Sequence, residues 1–117
     1  MPSPGILLFM RALSIRQPYA EEILRGIKTI EYRSRPTRII GQRFYIYASK
    51  QPGDLKRFAK LGCEPGDLPV GVLVGTATIT KCSKGNAKYE WHLTDVKRLK
   101  RPRKPTGRPQ PVWFTPF

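Results

Sequence analysis

In the run Arg11 to Arg16, Leu13 and Ile15 alternate with Ser14 and Arg16, the two-residue period of a strand with one apolar face. Behind it the period lengthens. Ala20, Ile23, Leu24 and Ile27 recur at spacings of three, four and seven, which predicts an amphipathic helix opened by Gln17-Pro18. Proline suits the first helical position, where its missing N–H costs nothing. Glu21 and Glu22 in the first turn and Arg25 in the last favour the helix dipole, and Gly26 supplies the stop. Lys28 to Arg33 (KTIEYR) then reads as a strand, and Gly41 marks a turn. Arg43 to Ala48 (RFYIYA), rich in aromatic and β-branched residues, reads as another strand.

Asp54 to Leu61 allows a short surface helix between Pro52-Gly53 and Gly62. Val70 to Thr80 is the longest strand candidate, and Gly71 and Gly75 point to bends or a bulge in a curved sheet. Lys84 to Asn86 turns the chain into Tyr89 to Val96, where Tyr89, Trp91 and Leu93 alternate with Glu90 and His92. Lys97 to Arg108 has seven basic residues, no acidic one, and prolines at 102 and 105. Prolines deny it a regular helix, so it is expected to be an extended basic arm or a loop crossing the surface. Pro111 to Phe114 is the expected last strand. Five to six strands, a strong first helix and a short second one predict a small α+β domain, a curved mixed β-barrel.

The uncharged leader, residues 1–9, is expected to be loosely ordered, with Met10 as the effective start and residues 10–117 as one domain. A chain of 117 residues supports that count, since two domains would each be undersized. Composition changes the picture mainly through charge. Lys and Arg number 22 against eight Asp and Glu, a net +14. Such an excess fits nucleic acid, anionic membrane surfaces or phosphorylated small molecules as partners. The longest apolar run, Ile6 to Met10, is far short of the ~20 residues of a membrane span, and no secretory signal pattern is present. Cys63 and Cys82 form neither a disulfide framework nor a CxxC pair, and the lone His92 leaves no Cys/His set for zinc. A reducing cytoplasm, a monomer, and neither metal nor cofactor are therefore expected.

The candidate chemistry is sparse. His92 sits in an alternating strand beside Trp91 and is expected to be half-buried and structural. No GxxxxGK[ST] or GxGxxG loop is present. Glu31 stands out among the few acids, because it lies between Lys28 and Arg33 and ahead of Arg35 and Arg38. It reads either as a salt-bridged strand glutamate or as a carboxylate in a basic pocket. In the second role it would accept a hydrogen bond from a base or act as a general base. In a regular strand Lys28 and Glu31 would face opposite sides. They share a pocket only if Lys28 lies in the turn after the helix, which Gly26 permits. Arg33, Arg35, Arg38, Arg43, Lys50 and the arm, with Arg101, Arg103 and Lys104, are candidate phosphate contacts. Tyr19, Tyr32, Tyr45 and Trp113 are candidate stacking platforms, though so small a barrel needs most of its aromatics inside.

The run ALSIRQPYAEEILRGIKTIEYRS resembles the opening of ASCH domains, a branch of the PUA-like superfamily. Gly26, Lys28, Glu31 and Arg33 meet the family pattern G-x-K-x-x-E-x-R, and IYASK, GVLVGTATI and the basic loop before Trp113 match in order. The resemblance covers about Met10 to Phe114. It implies a PUA-like barrel with the first helix beside a cleft that binds RNA or other nucleic acid. Lys28, Glu31 and Arg33 would line that cleft, with Arg16 and Gln17 from the strand-to-helix junction. It also implies an alternative, a metal-independent enzyme with Lys28 as nucleophile or electrostatic stabiliser and Glu31 as general acid or base. Some small bacterial members hydrolyse the amide of N4-acetylcytidine with a lysine, a threonine and a glutamate. Their lysine aligns with Lys28 and their threonine falls on Glu31. Their glutamate lies in a helical insertion, for which Glu90 is the nearest counterpart here. Ribonuclease activity through a cleft lysine is ascribed to other members.

Overall fold

The computed structural model describes residues 10–117, so the expectation of a loose leader falls outside the described residues. Six strands form one curled sheet: β1 (Ala12–Arg16), β2 (Ile30–Arg33), β3 (Arg43–Ser49), β4 (Val72–Lys84), β5 (Tyr89–Arg103) and β6 (Trp113–Phe114). Their spatial order is β2-β5-β4-β3-β1-β6, with β1 and β3 parallel and every other pair antiparallel. Helix α1 (Tyr19–Leu24) follows β1, and helix α2 (Leu55–Lys60) follows β3, with the Asp54 carboxylate capping its Lys56 N–H at 2.9 Å. The sheet curls without closing, so β2 and β6 are its two edges. No helix among the described residues is long and apolar enough to cross a membrane.

Both faces of the middle of the sheet are covered. Leu13, Ile15, Phe44, Ile46, Ile79 and Trp91 pack with Ala20 and Ile23 of α1 into the larger core. Met10, Ala12, Tyr45, Tyr47, Leu73 and Phe114 form a second one. Ser14, on the polar face of the alternation, is accordingly only 8% exposed. Trp91 stacks on Trp113 with centroids 6.0 Å apart, and Phe44 meets Trp113 edge-on at 5.3 Å. Such pairs add ~0.5–1.5 kcal/mol each beyond their buried area.

Helix α1 is shorter than the apolar spacing suggests. Pro18 is its N-cap, not its first residue, and Arg25 is its C-cap. Gly26, at φ +77°, turns the chain out, and Ile27 beyond it is 59% exposed and does not extend the apolar stripe. Glu21 and Glu22 do more than complement a dipole. Both are buried, Glu21 in paired hydrogen bonds with Arg98 at 2.9 Å and one with Arg25 at 2.7 Å, Glu22 in a clasp with Arg57 at 2.7 Å. The Arg98 hydrogen bonds, helped by Arg25, hold the Glu21 carboxyl below the usual carboxylate range against the opposing effect of burial.

The basic segment is corrected in part. Residues 97–103 are not loop but the second half of β5; only 104–108 leave the sheet before β6. Past Leu93, β4 alone flanks β5, and their register slips between Gly75↔Arg98 and Leu73↔Arg103. Pro102 thus lies in an irregular stretch of a strand with one open side, where a missing N–H is tolerated. Gly75 makes the crossing possible. A Cβ there would sit 2.5 Å from Leu24 Cδ2 and 2.6 Å from Lys97 O, so α1 and β5 close on a residue without a side chain.

Candidate functional site

The seam of the half-barrel holds the site. Strand β6 pairs with Ala12 and Leu13 only, so the second half of β1 has β3 on one side and no strand on the other. An open cleft of about 930 Å³ fills that gap. Ser14 and Arg16 come from β1, Tyr47 and Ser49 from β3, and Glu31 and Arg33 from the edge strand β2. The pairing Ser14↔Tyr47 and Arg16↔Ser49 places four of these on one face, a polar patch that the alternation in β1 foreshadows. Tyr19, Lys28, Tyr32, Lys50 and Lys88 line the mouth, with Pro109, Gln110 and Pro111 as a lip.

Glu31 is the floor. It is 7% exposed, and its Oε2 accepts from Arg33 Nε at 2.8 Å and lies 2.6 Å from Arg33 Nη2. Lys28 approaches the other oxygen, Oε1, at 3.5 Å. Lys28 precedes β2, in the turn that Gly26 opens, and so reaches the carboxylate despite the odd spacing. Arg33 ties the seam together. Its Nη2 also donates to Ser14 O at 2.9 Å, across from β2 to β1, and its guanidinium lies 5.6 Å from the Trp91 ring centroid. Ser14 Oγ in turn donates to Gln110 O, which fastens the lip.

Aromatic rings frame the lysine. Lys28 Nζ lies 5.7 Å from the Tyr19 centroid and 5.0 Å from that of Tyr32, which is 49% exposed. Tyr45 is core, and Trp113 is held between Trp91 and Phe44, so of the candidate platforms Tyr19 and Tyr32 alone reach the cleft. Burial pushes the Tyr47 phenol above its ordinary value.

Arg16, Lys28, Glu31, Arg33 and Lys50 thus meet at one cleft. Gln17 does not join them. It is 1% exposed, its Nε2 donating to Pro69 O and its Oε1 accepting from Glu21 N, both at 3.0 Å. Arg35 lies outside the lining, and its carbonyl accepts from Trp91 Nε1 at 3.0 Å. Arg101, Arg103 and Lys104 cluster at the far end of β5, where Arg103 stacks 4.1 Å over Phe117. Glu90 is not in the lining either; it sits by Ser83 and His92, with Ser83 Oγ 2.8 Å from His92 Nε2. Sequence reasoning overlooked Tyr47, Lys88 and the Gln110 lip. Only the tertiary path of the last 15 residues brings the lip there. Among the described residues no three His, Cys, Asp or Glu side chains converge as a metal site.

The sequence model of the ASCH domain matches residues 13–107, most of the chain. The chain belongs to the ASCH domain family. Solved structures with the same fold include the ASCH protein of Zymomonas mobilis, at 19% identity and TM-score 0.57 over 82% of this chain and 73% of that one. A single-residue variant of that protein superposes equally well, at 18% identity and TM-score 0.58 over 83% and 75%. A search of curated proteins finds no match. The curled six-stranded sheet with two short helices is thus a small α+β, PUA-like ASCH fold, and Lys28, Glu31 and Arg33 of the G-x-K-x-x-E-x-R pattern of this ASCH domain line its cleft.

Proposed function

We propose that this ASCH domain is a nucleic-acid-binding module, with RNA as its foremost ligand, and that the cleft around Lys28, Glu31 and Arg33 reads a base. The observation that carries this reading is Glu31. A buried carboxylate between two cations, with Oε1 approached only at 3.5 Å, is an acceptor held ready for an N–H donor. A site that bound phosphate alone would gain nothing from a negative charge on its floor. Around it, Arg16, Lys50 and Lys88 supply phosphate contacts at the mouth, and the exposed ring of Tyr32 offers a stacking surface worth ~1–3 kcal/mol. Arg101, Arg103 and Lys104 extend the basic surface along β5.

The test is binding of a fluorescent single-stranded RNA to the native protein and to Glu31→Gln and Lys28→Ala. A reader loses affinity in both variants, about tenfold for loss of one charge-assisted hydrogen bond, and the RNA stays intact. Unchanged affinity in both variants would sink the reading.

A metal-independent enzyme is the second reading, and the Lys28–Glu31 pair favours it, since an ammonium group beside a buried carboxylate is a proton-transfer pair. Glu90 has no part in it, being outside the cleft lining. Incubation with N4-acetylcytidine and with RNA, followed by chromatography, decides between the two. Product that disappears in Lys28→Ala supports catalysis; an unchanged profile for both substrates retires it.

A further inference from the structure

Beside Glu31, β1 leaves part of its own backbone unpaired, and the parity of its hydrogen bonds shows which part. Arg11 O accepts from Tyr45 N at 2.8 Å, and Gln17 O from Gly53 N at 2.7 Å. Odd-numbered residues therefore turn their amide groups toward β3. Even-numbered residues turn theirs toward the seam: Ser14 N–H donates to Val112 O at 2.9 Å, and Ser14 O accepts from Arg33 Nη2 at 2.9 Å. Arg16 is the next even residue, still within β1 and past the end of β6. Among the described residues no hydrogen bond of good geometry engages its N–H or its C=O, which opens the turn at Gln17–Pro18, and it lines the cleft. Its side chain, meanwhile, reaches Gln51 Oε1 at 3.4 Å.

In an extended residue the N–H and C=O point the same way, donor beside acceptor. Every nucleobase carries the complement on its pairing edge, an acceptor next to an N–H donor, and an unstacked base offers that edge to protein. We propose that the Arg16 backbone is the base-reading edge of the cleft: its N–H and C=O take the pairing edge of one unpaired base, and Glu31 Oε1 remains for a further N–H donor. The proposal rests on the nucleic-acid reading above and narrows it to single-stranded or unpaired bases, because a base in a duplex already uses that edge. The Arg16 side chain then contributes charge, and the main chain selects an unpaired base over a paired one.

The experiment is amide spectroscopy of the uniformly 15N-labelled protein with each ribonucleoside 5′-monophosphate and with a short mixed-sequence single-stranded RNA. The expected result is a downfield shift of the Arg16 amide proton and hydrogen–deuterium exchange slowed about tenfold at saturation. Arg16→Ala, which keeps the backbone, should bind about fivefold to tenfold better than Arg16→Pro, which deletes the N–H. Because Arg16→Pro also perturbs β1, amide exchange is the deciding measurement. If the resonances of Glu31 and Arg33 move while the Arg16 amide keeps its shift and exchange rate, the backbone proposal falls and the binding reading stands. If no cleft resonance moves with any of these probes, both fall.

Discussion

At the scale of single residues, two positions show how much rests on one group. Glu31 is buried among Lys28 and Arg33, so Glu31→Ala leaves two neighbouring cations without their shared partner and loosens Arg33 from its place against Ser14 O. Breaking one side of such a partly buried pair destabilises more than the pair itself contributes, because the remaining charges stay without a partner. Glu31→Ala should therefore lower the thermal midpoint as well as the affinity, whereas Glu31→Gln, which keeps an acceptor, should cost mainly affinity; paired melting and binding curves separate the two. Gly75 is the other position. With Leu24 Cδ2 and Lys97 O both within 2.6 Å of a Cβ placed there, Gly75→Ala must push α1 from β5, a cost of about 1–3 kcal/mol read from the urea midpoint.

At the scale of elements, α1 is six residues long, too short to stand by itself. Its hold on the sheet comes from Ala20 and Ile23 in the core and from two buried acids. Glu21 joins α1 to β5 through Arg98, and Glu22 joins it to α2 through Arg57. The pH dependence follows from Glu21. Its folded carboxyl titrates below the unfolded value of 4.5, so its stabilisation is fully present above that value and is lost as pH falls through the folded one. The melting temperature should accordingly drop as pH is lowered below about 4.5, and the drop should be shallower in Glu21→Gln. A parallel pH profile in that variant would show that the Glu21–Arg98 clasp is not what acid removes.

At the scale of the whole molecule, part of the +14 charge gathers in two zones, the mouth of the cleft and the outer end of β5. Single-stranded RNA binding should weaken at least tenfold as salt rises from about 50 to 200 mM. Replacing Arg101 and Lys104 together with Ala should flatten the logarithmic salt slope by about 1.4 if each contacts one phosphate; an unchanged slope would confine binding to the cleft. Much of this fold was legible in the chain, for local reasons. A period-two run marked β1, an aromatic and β-branched run marked β3, Gly26 and Gly41 marked turns at positive φ, and Asp54 marked a helix start. The resemblance carried by G-x-K-x-x-E-x-R implied one site for Lys28, Glu31 and Arg33, and the turn at Gly26 lets Lys28 join it. What failed to show depended on partners far along the chain. The prolines of the basic segment pointed to an arm or loop until β4 appeared beside residues 97–103, Gln17 looked like a cleft contact until Pro69 took its amide, and Glu21 looked like a first-turn acid suited to the helix dipole until Arg98 reached it. By itself, then, the sequence determined the elements, the family pattern and the charge, all carried by neighbours a few residues apart. The tertiary structure alone decided where the sheet stops closing. A two-residue β6 ends beside Leu13, and the gap beyond it turns a strand edge, a lip from residues 109–111 and the unpaired amide of Arg16 into one cleft.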